Sequence, residues 1–433
     1  MKKLFVFLCV AGLIAASASP LFAGGIDNKT NWSAEYIRTL NRNAAIDSAD
    51  IVMYNPAGVM KMGDGFYGNL SVQYILKDYT NNINGVDYDQ DEPSVIPGLF
   101  LLYKQDRWAG FFGLSNVLGG GKVDFEKGDA TTSALGMGVM YGANTLLAAG
   151  GVPSDYWYSG ISNQKLEAEH IGLGYTLGGS FKINDMFSVS LGAMYVDTQK
   201  EAKGSVTVTA ANPFPVPGVN DDIPAAVDYE EDADGWGGVI GVNISPTDQW
   251  NIGIRYNTKV NLDYDQTVNQ DSLGVLPALG ITNGGESTRD LPAILALGVS
   301  YKLNDKIRLE TNFTYYFNED ADWMGDEDLV DNGYDLGIAF EYTFNPKLKG
   351  SIGYLHTDTG IDAEYMLPEA PQLNANTIGT GVAYEAIPGM ILNFSLGNAF
   401  YEDDSFVIPT TGTTIEYEKN NFFIAFGIQY KFM

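Results

Sequence analysis

From Gly65 to the C-terminus, apolar side chains return at every second residue. Trp250, Ile252, Ile254 and Tyr256 alternate with Asn251, Gly253, Arg255 and Asn257. Leu173, Tyr175, Leu177, Phe181 and Ile183 alternate with Gly172, Gly174, Thr176, Gly178, Ser180 and Lys182. The final stretch is the clearest. Phe422, Ile424, Phe426, Ile428, Tyr430 and Phe432 share one side, and Phe423, Ala425, Gly427, Gln429 and Lys431 the other. Period two with one apolar face marks strands that separate two different solvents. No segment after the N-terminus reaches the roughly 18 uninterrupted apolar residues of a membrane helix. A chain of this kind crosses a membrane only as a closed barrel, because unpaired backbone groups cannot face lipid.

The spacing predicts fourteen strands, near 65–76, 94–103, 107–115, 166–183, 186–198, 234–244, 249–258, 290–303, 306–316, 332–343, 347–355, 376–385, 389–400 and 421–433. Their connections alternate without exception. Short turns such as Asn184-Asp185 and Asn304-Asp305 are followed by long stretches: 77–93, 116–165, 199–233, 259–289, 317–331, 356–375 and 401–420. Short turns on the periplasmic side and long loops outside produce this order. An even strand number also returns both chain ends to the side of the short turns. The expected fold class is all-β, a transmembrane antiparallel barrel.

Two segments precede the first strand. Residues 1–23 read as a secretory leader: Lys2 and Lys3, an apolar run Leu4–Ala18, and a cleavage point after Ala23. Residues 24–64 read neither as strand nor as strand-joining loop. Ser33 is placed to cap a short helix with Tyr36, Ile37 and Leu40 on its apolar side. Asn55-Pro56-Ala57-Gly58 then punctuates a turn, in which Pro56 has no amide hydrogen for a ladder. This segment is expected to be a plug, or hatch, inside the lumen, with 65–433 as the barrel.

Acidic residues number 54, against 23 basic ones once Lys2 and Lys3 are set aside, a net charge of −31. That excludes nucleic acid as an expected partner. The acids read mainly as solvated loops; Asp87, Asp89, Asp91 and Glu92 are dense enough to bridge divalent cations but lack the glycine and terminal glutamate of a calcium loop. The only cysteine, Cys9, lies in the leader, so disulfide and thiolate chemistry is not expected of the mature chain. Catalysis is not expected either. His170 and His356, the only histidines, stand near outer strand ends away from any serine motif and read as incidental surface residues. No cofactor or metal site is expected.

The stretch Asp50-Ile-Val-Met-Tyr-Asn-Pro-Ala-Gly58 resembles the hatch signature of the FadL/TodX family of outer membrane transporters for long-chain fatty acids and aromatic hydrocarbons. Gly241-Val-Asn-Ile-Ser-Pro246 leading to Trp250–Tyr256, Leu291-Pro292 before Gly298–Tyr301, and Leu367-Pro368 before Gly379–Tyr384 extend the resemblance over most of the chain. It implies a fourteen-stranded barrel with an N-terminal hatch. It also implies a kinked third strand, where ligand leaves sideways into the membrane. Gly110 and Gly113 are expected to bend that strand around Phe111 and Phe112, one of which must point inward. Gating is expected at Asn55, Pro56, Ala57 and Gly58. Leu135, Met137 and Met140 suggest either helices packed on the rim or an apolar entrance groove. Arg255 and Arg308 face the lumen, to hold a ligand carboxylate or to pair with acids such as Glu310, Asp47 and Asp50. The expected partners are a hydrophobic small molecule, outer membrane lipid and lipopolysaccharide, and the barrel assembly machinery through the C-terminal strand. A monomer is expected. The expected function is passive passage of a hydrophobic solute, the alternative being a general-diffusion porin or structural barrel.

Overall fold

A computed structural model describes residues 28–214, 220–408 and 412–432. The predicted leader, 1–23, lies outside these residues, as do 24–27 and Met433. The wall is a closed antiparallel barrel of fourteen strands. They are β1 Gly65–Ile83, β2 Ser94–Gln105, β3 Trp108–Phe125, β4 Tyr158–Lys182, β5 Phe187–Ala210, β6 Ile223–Ile244 and β7 Trp250–Asn257. The second half comprises β8 Ala293–Lys302, β9 Ile307–Phe317, β10 Gly333–Asn345, β11 Leu348–Asp358, β12 Ala375–Ile387, β13 Met390–Tyr401 and β14 Thr413–Lys431. The first and last strands close the wall, with pairing from Tyr67↔Lys431 to Ile83↔Ile415.

The alternation resolves into lipid outside and plug inside. On β1, Leu70, Val72, Tyr74 and Leu76 are exposed, whereas Asn69, Ser71 and Gln73 are buried. On β14, Phe426 and Ile428 are exposed, and Ala425 and Gln429 are buried. Several strands run further outward than the sequence suggests. β1, β5 and β14 carry ladder pairing through residues expected to be loop, and β4 and β6 begin earlier than expected. Beyond the bilayer both faces meet water or polar loops, so acidic and threonine residues occupy both. The period-two signal then vanishes although the backbone ladder continues. Residues 116–165 hold the outer part of β3, an α-helix, Ala130–Ala149, a 3-10 turn, Ser154–Tyr156, and the start of β4; the helix is capped by the carboxylate of Asp129 accepting from the Thr132 N–H.

Residues 28–64 fill the bore. Helix α1, Ala34–Thr39, starts where Ser33 Oγ accepts from the Tyr36 N–H at 3.0 Å, and it ends at Leu40 in the left-handed region. Two 3-10 turns follow, Ala49–Val52 and Pro56–Lys61; the side chain of Asn55 caps the second by accepting from the Gly58 N–H. Such short turns leave many backbone groups without internal partners. The wall supplies them. Ser180 and Ser188 donate to the carbonyls of Pro56 and Ala57, Ser351 to Arg38, and Ser395 to Ala34, at 2.7–2.9 Å. The plug approaches the wall closely where wall glycines stand. A Cβ on Gly353 would lie 1.8 Å from the Thr39 carbonyl oxygen, and one on Gly253 1.9 Å from that of Asn43.

Candidate functional site

The plug carries buried charge on one flank. Arg42 bonds Asp50 at 2.6 Å and Asp47 at 2.8 Å, and Arg38 bonds Glu341 of β10 at 2.7 Å. Arg308 belongs to the same network, reaching Glu310 at 2.5 Å and Glu341 at 3.5 Å. Its fork is therefore engaged by wall carboxylates, the pairing alternative for this residue. Arg255 is buried under the ring of Trp32, 5.3 Å from its centroid. Among the described residues its Nε and Nη1 have no hydrogen-bond partner, and the space beside it measures about 10 Å³, too small for a ligand headgroup. Asn55 donates to the Ala45 carbonyl at 3.1 Å and to Asn243 Oδ1 of β6 at 2.8 Å. Asn243 is joined in turn to Asn251, which donates to the Ala44 carbonyl. The Asn55–Gly58 turn is thus bolted to β4–β7.

The flank towards β2 and β3 is different. There the lumen-facing wall residues include Phe100, Leu102, Phe111, Gly113 and Val117, with Ser115 and Lys104 as the polar ones, and the plug meets the apolar group with Val52 and Met53. Of the adjacent Phe111 and Phe112, Phe111 is the one turned inward. The bend is not at Gly110 and Gly113, which pair regularly with Tyr103 and Phe100. The pairing of β2 with β3 stops at Gly98↔Ser115, one residue short of Pro97, which has no N–H to offer. Above it, the ladder from β3 to β4 shifts register between Asn116 and Leu118 and again between Leu118 and Gly121. Gly119 and Gly121 have φ of 79° and 77°, and a Cβ on Gly119 would lie 2.2 Å from the His170 carbonyl oxygen. The bend belongs here because glycine alone takes up such backbone without strain.

A break in the β2–β3 ladder follows, between Ser94–Pro97 and Asn116–Gly121. Polar contacts close it. Ser115 Oγ donates to the Pro97 carbonyl at 3.3 Å, and Ser94 Oγ to that of Gly120 at 2.9 Å. From inside, Asn28 forms a bridge with Leu118, and the Lys29 N–H donates to the Val117 carbonyl at 2.8 Å.

Directly above the plug lies a cavity of about 530 Å³, opening between the outer loops. Ile75, Ile96, Tyr79, Tyr401 and Phe423 give it an apolar lining, and Gly119–Gly121 form one side. Lys77 and Lys419 stand among these rings and chains. The Lys419 ammonium lies 4.6 Å from the ring centroid of Tyr79 and 4.7 Å from that of Tyr401, and donates to the Pro371 carbonyl at 2.9 Å. His170 also lines the cavity and contacts Thr198 at 3.3 Å, so it is not the incidental surface residue expected. At the loop end, Glu369 is half-buried; desolvation, and secondly the charge of Asp129, push its carboxyl up to about 7. Leu135, Met137 and Met140 do not line this cavity. They lie on the Ala130–Ala149 helix, where Leu135 and Met140 pack with Val139, Tyr158 and Val208 while Met137 is exposed.

Sequence reasoning missed Lys77, Lys419, Ser94 and Pro97. The signals were present: a proline inside an apolar strand, and Gly119-Gly120-Gly121 at the end of another. Both lysines fall in stretches read as loop, where charge draws no notice.

A family model described as "Outer membrane protein transport protein (OMPP1/FadL/TodX)" matches residues 14–432. Among solved structures, a Pseudomonas aeruginosa FadL homologue is similar over 95% of this chain and 100% of its own, with TM-score 0.66 and 16% identity. The Pseudomonas putida toluene transporter TodX is similar over 90% of this chain and 96% of its own, with TM-score 0.59 and 16% identity. The Ralstonia pickettii toluene transporter TbuX follows with 88% and 93% coverage, TM-score 0.56 and 17% identity. No curated protein matches the chain by sequence. With its family model covering almost all of it, and a fourteen-stranded wall around a filled bore, the chain belongs to the FadL/TodX family of outer membrane transport proteins.

Proposed function

We propose that this protein passes long-chain amphipathic carboxylates inward across the outer membrane and releases them sideways through the gap between β2 and β3. In this reading residues 1–23 are removed on export and 24–64 act as the hatch. The observation that carries it is the apolar seam. It runs from the cavity, past Ile96, to Phe100 and Phe111 on the wall and Met53 on the hatch, beside the gap. An alkyl chain on this route stays out of water, each buried Å² contributing about 25 cal/mol. A water-filled pore offers no such gain, and the filled bore disfavours the general-diffusion alternative.

The carboxylate is favoured over a neutral hydrocarbon by Lys77 and Lys419. Lys29, Lys200 and Arg289 also line the cavity, as do six carboxylates, but Lys77 and Lys419 are the two set at the ring of Tyr79 on its apolar side, where an anionic headgroup with an alkyl chain can pair with them. Arg255, shielded by Trp32, is reached only after the hatch shifts. The outer face contacts lipid and lipopolysaccharide, and β14, with Phe432 just after it, is the segment offered to the assembly machinery.

The test is uptake of labelled oleate and labelled toluene by cells lacking a transporter of their own. The native protein is expected to raise oleate uptake well above the empty-vector control and toluene uptake less. Uptake of both at the control level would end the transport reading. Porin-like conductance of the native protein in planar bilayers would favour general diffusion.

A further inference from the structure

The geometry points to Lys77 as the latch by which an anionic ligand opens the side gap. This rests on the lateral path proposed above and concerns its regulation. Lys77 projects from the inner face of β1, two strands away from β3, and lines the cavity. Its ammonium donates to the main-chain carbonyls of Lys122 and of Gly120, the latter at 3.4 Å. Both acceptors lie on the outer part of β3, beyond the point where pairing with β2 ends. On its other edge that part pairs with β4 from Gly121↔His170 to Phe125↔Leu166. Its ladder to β4 is interrupted by two register shifts, and its link to β2 is the Ser94–Gly120 bond.

An ammonium has three donors and no acceptor. Two of those of Lys77 are spent on carbonyls of β3 beyond the end of its pairing with β2. A carboxylate entering the cavity competes for the same ammonium, and a charge-assisted bond to it is stronger than one to a neutral carbonyl. The ligand therefore binds more tightly to the state in which Lys77 has left β3, and that difference is what shifts the population towards an open gap. A neutral ligand of the same shape makes no such exchange. The latch thus reads headgroup charge and transmits it to the wall without moving the bolted flank of the hatch.

The experiment places spin labels across the gap, at Val95→Cys and Gly120→Cys, in the otherwise native protein in detergent. Val95 is 61% exposed on the outer face, and a Cβ on Gly120 meets nothing within 4 Å. The probes are oleate and oleyl alcohol. Oleate is expected to lengthen the label distance and oleyl alcohol to leave it short. Lys77→Met is expected to show the long distance without ligand and to bind oleate roughly 10-fold more weakly, with oleyl alcohol binding unchanged. Lys77→Arg is expected to keep the gap closed. Heat-modifiable mobility checks folding, and Lys77→Gln replaces the methionine variant if that fails. A short distance in ligand-free Lys77→Met that still lengthens with oleate would overturn the latch. So would oleate that binds the native protein without widening the gap, which leaves the carboxylate reading standing. Failure of oleate to bind the native protein would remove both.

Discussion

The two flanks of the hatch are built on opposite principles. Towards β4–β14 nearly every strand gives it a directed bond: Ser180, Ser188, Asn243, Asn251, Glu310, Glu341, Ser351, Ser395 and Gln429 all reach plug backbone or plug side chains. Towards β2 and β3, at the same depth, it meets Phe100, Leu102, Phe111 and Gly113, which bring no polar side-chain group, and among the described residues the one ion pair on this flank, Lys104 with Asp64, lies at the end of the hatch next to β1. Hydrogen bonds and ion pairs hold one geometry and fail when it changes. Apolar contact is non-directional and re-forms after a shift or against a passing alkyl chain. The difference teaches that the hatch need not leave the barrel. One side can stay fixed while the other yields.

Four changes test this contrast, and the largest effect belongs to the bolted flank. Gly353→Val drives a side chain into the Thr39 carbonyl and is expected to unseat α1, at a cost above about 4 kcal/mol. Planar-bilayer recordings should then show a conducting bore. Gly110→Ala, with nothing within 4 Å of the new Cβ, is the silent control. A closed bore in Gly353→Val would mean that the close seating does not matter.

Next is Arg42→Met. It leaves Asp50, whose side chain is fully buried, without its cation, and is expected to cost about 3–5 kcal/mol. Hydrogen exchange across residues 30–60 should accelerate on the bolted flank first. Uniform acceleration would blur the distinction.

The third comparison pairs the flanks directly. Ser188→Ala removes one bond to the Ala57 carbonyl and is expected to cost about 1 kcal/mol, with oleate uptake kept. Phe111→Asn sets a polar amide in the seam at about 1–3 kcal/mol and is expected to depress uptake several-fold. If both variants transport equally, the seam is not the route.

The smallest effect is one of pH. Glu369 titrates near 7 in the folded loop against an ordinary 4.5. Because its folded value is raised, the folded loop binds the proton more tightly than the unfolded chain does. The stability this contributes is present below about 4.5 and is lost as pH rises through about 7. Loop 359–374 is expected to exchange amide hydrogens faster at pH 8 than at pH 5.5, after correction for intrinsic rates. Glu369→Gln should abolish the difference.

How far the chain could be read beforehand follows from where each residue's environment is set. The wall was legible because lipid and lumen impose opposite demands on neighbouring residues, as on Trp250–Asn257. Its strand number and its alternation of short and long connections follow from that. The Ser33 cap and the Asn55 turn were legible for a local reason, since capping bonds span three residues. The bend was misplaced by several residues. Glycine spacing in a strand does not reveal which carbonyl on the next strand, here that of His170, will press against it.

By itself, then, the sequence determined a greasy-walled tube with a non-strand segment ahead of it, because solvent alternation and short-range capping are written residue by residue. Only the tertiary structure decided that Arg308 is tied to Glu310 and Glu341, that Arg255 is shut under Trp32, and that Lys77 reaches across β2 to Gly120 and Lys122. Those pairings depend on register and on closure of the barrel, which bring together residues far apart in the chain. A charge's role is set by what closure places beside it, and no local pattern carries that information.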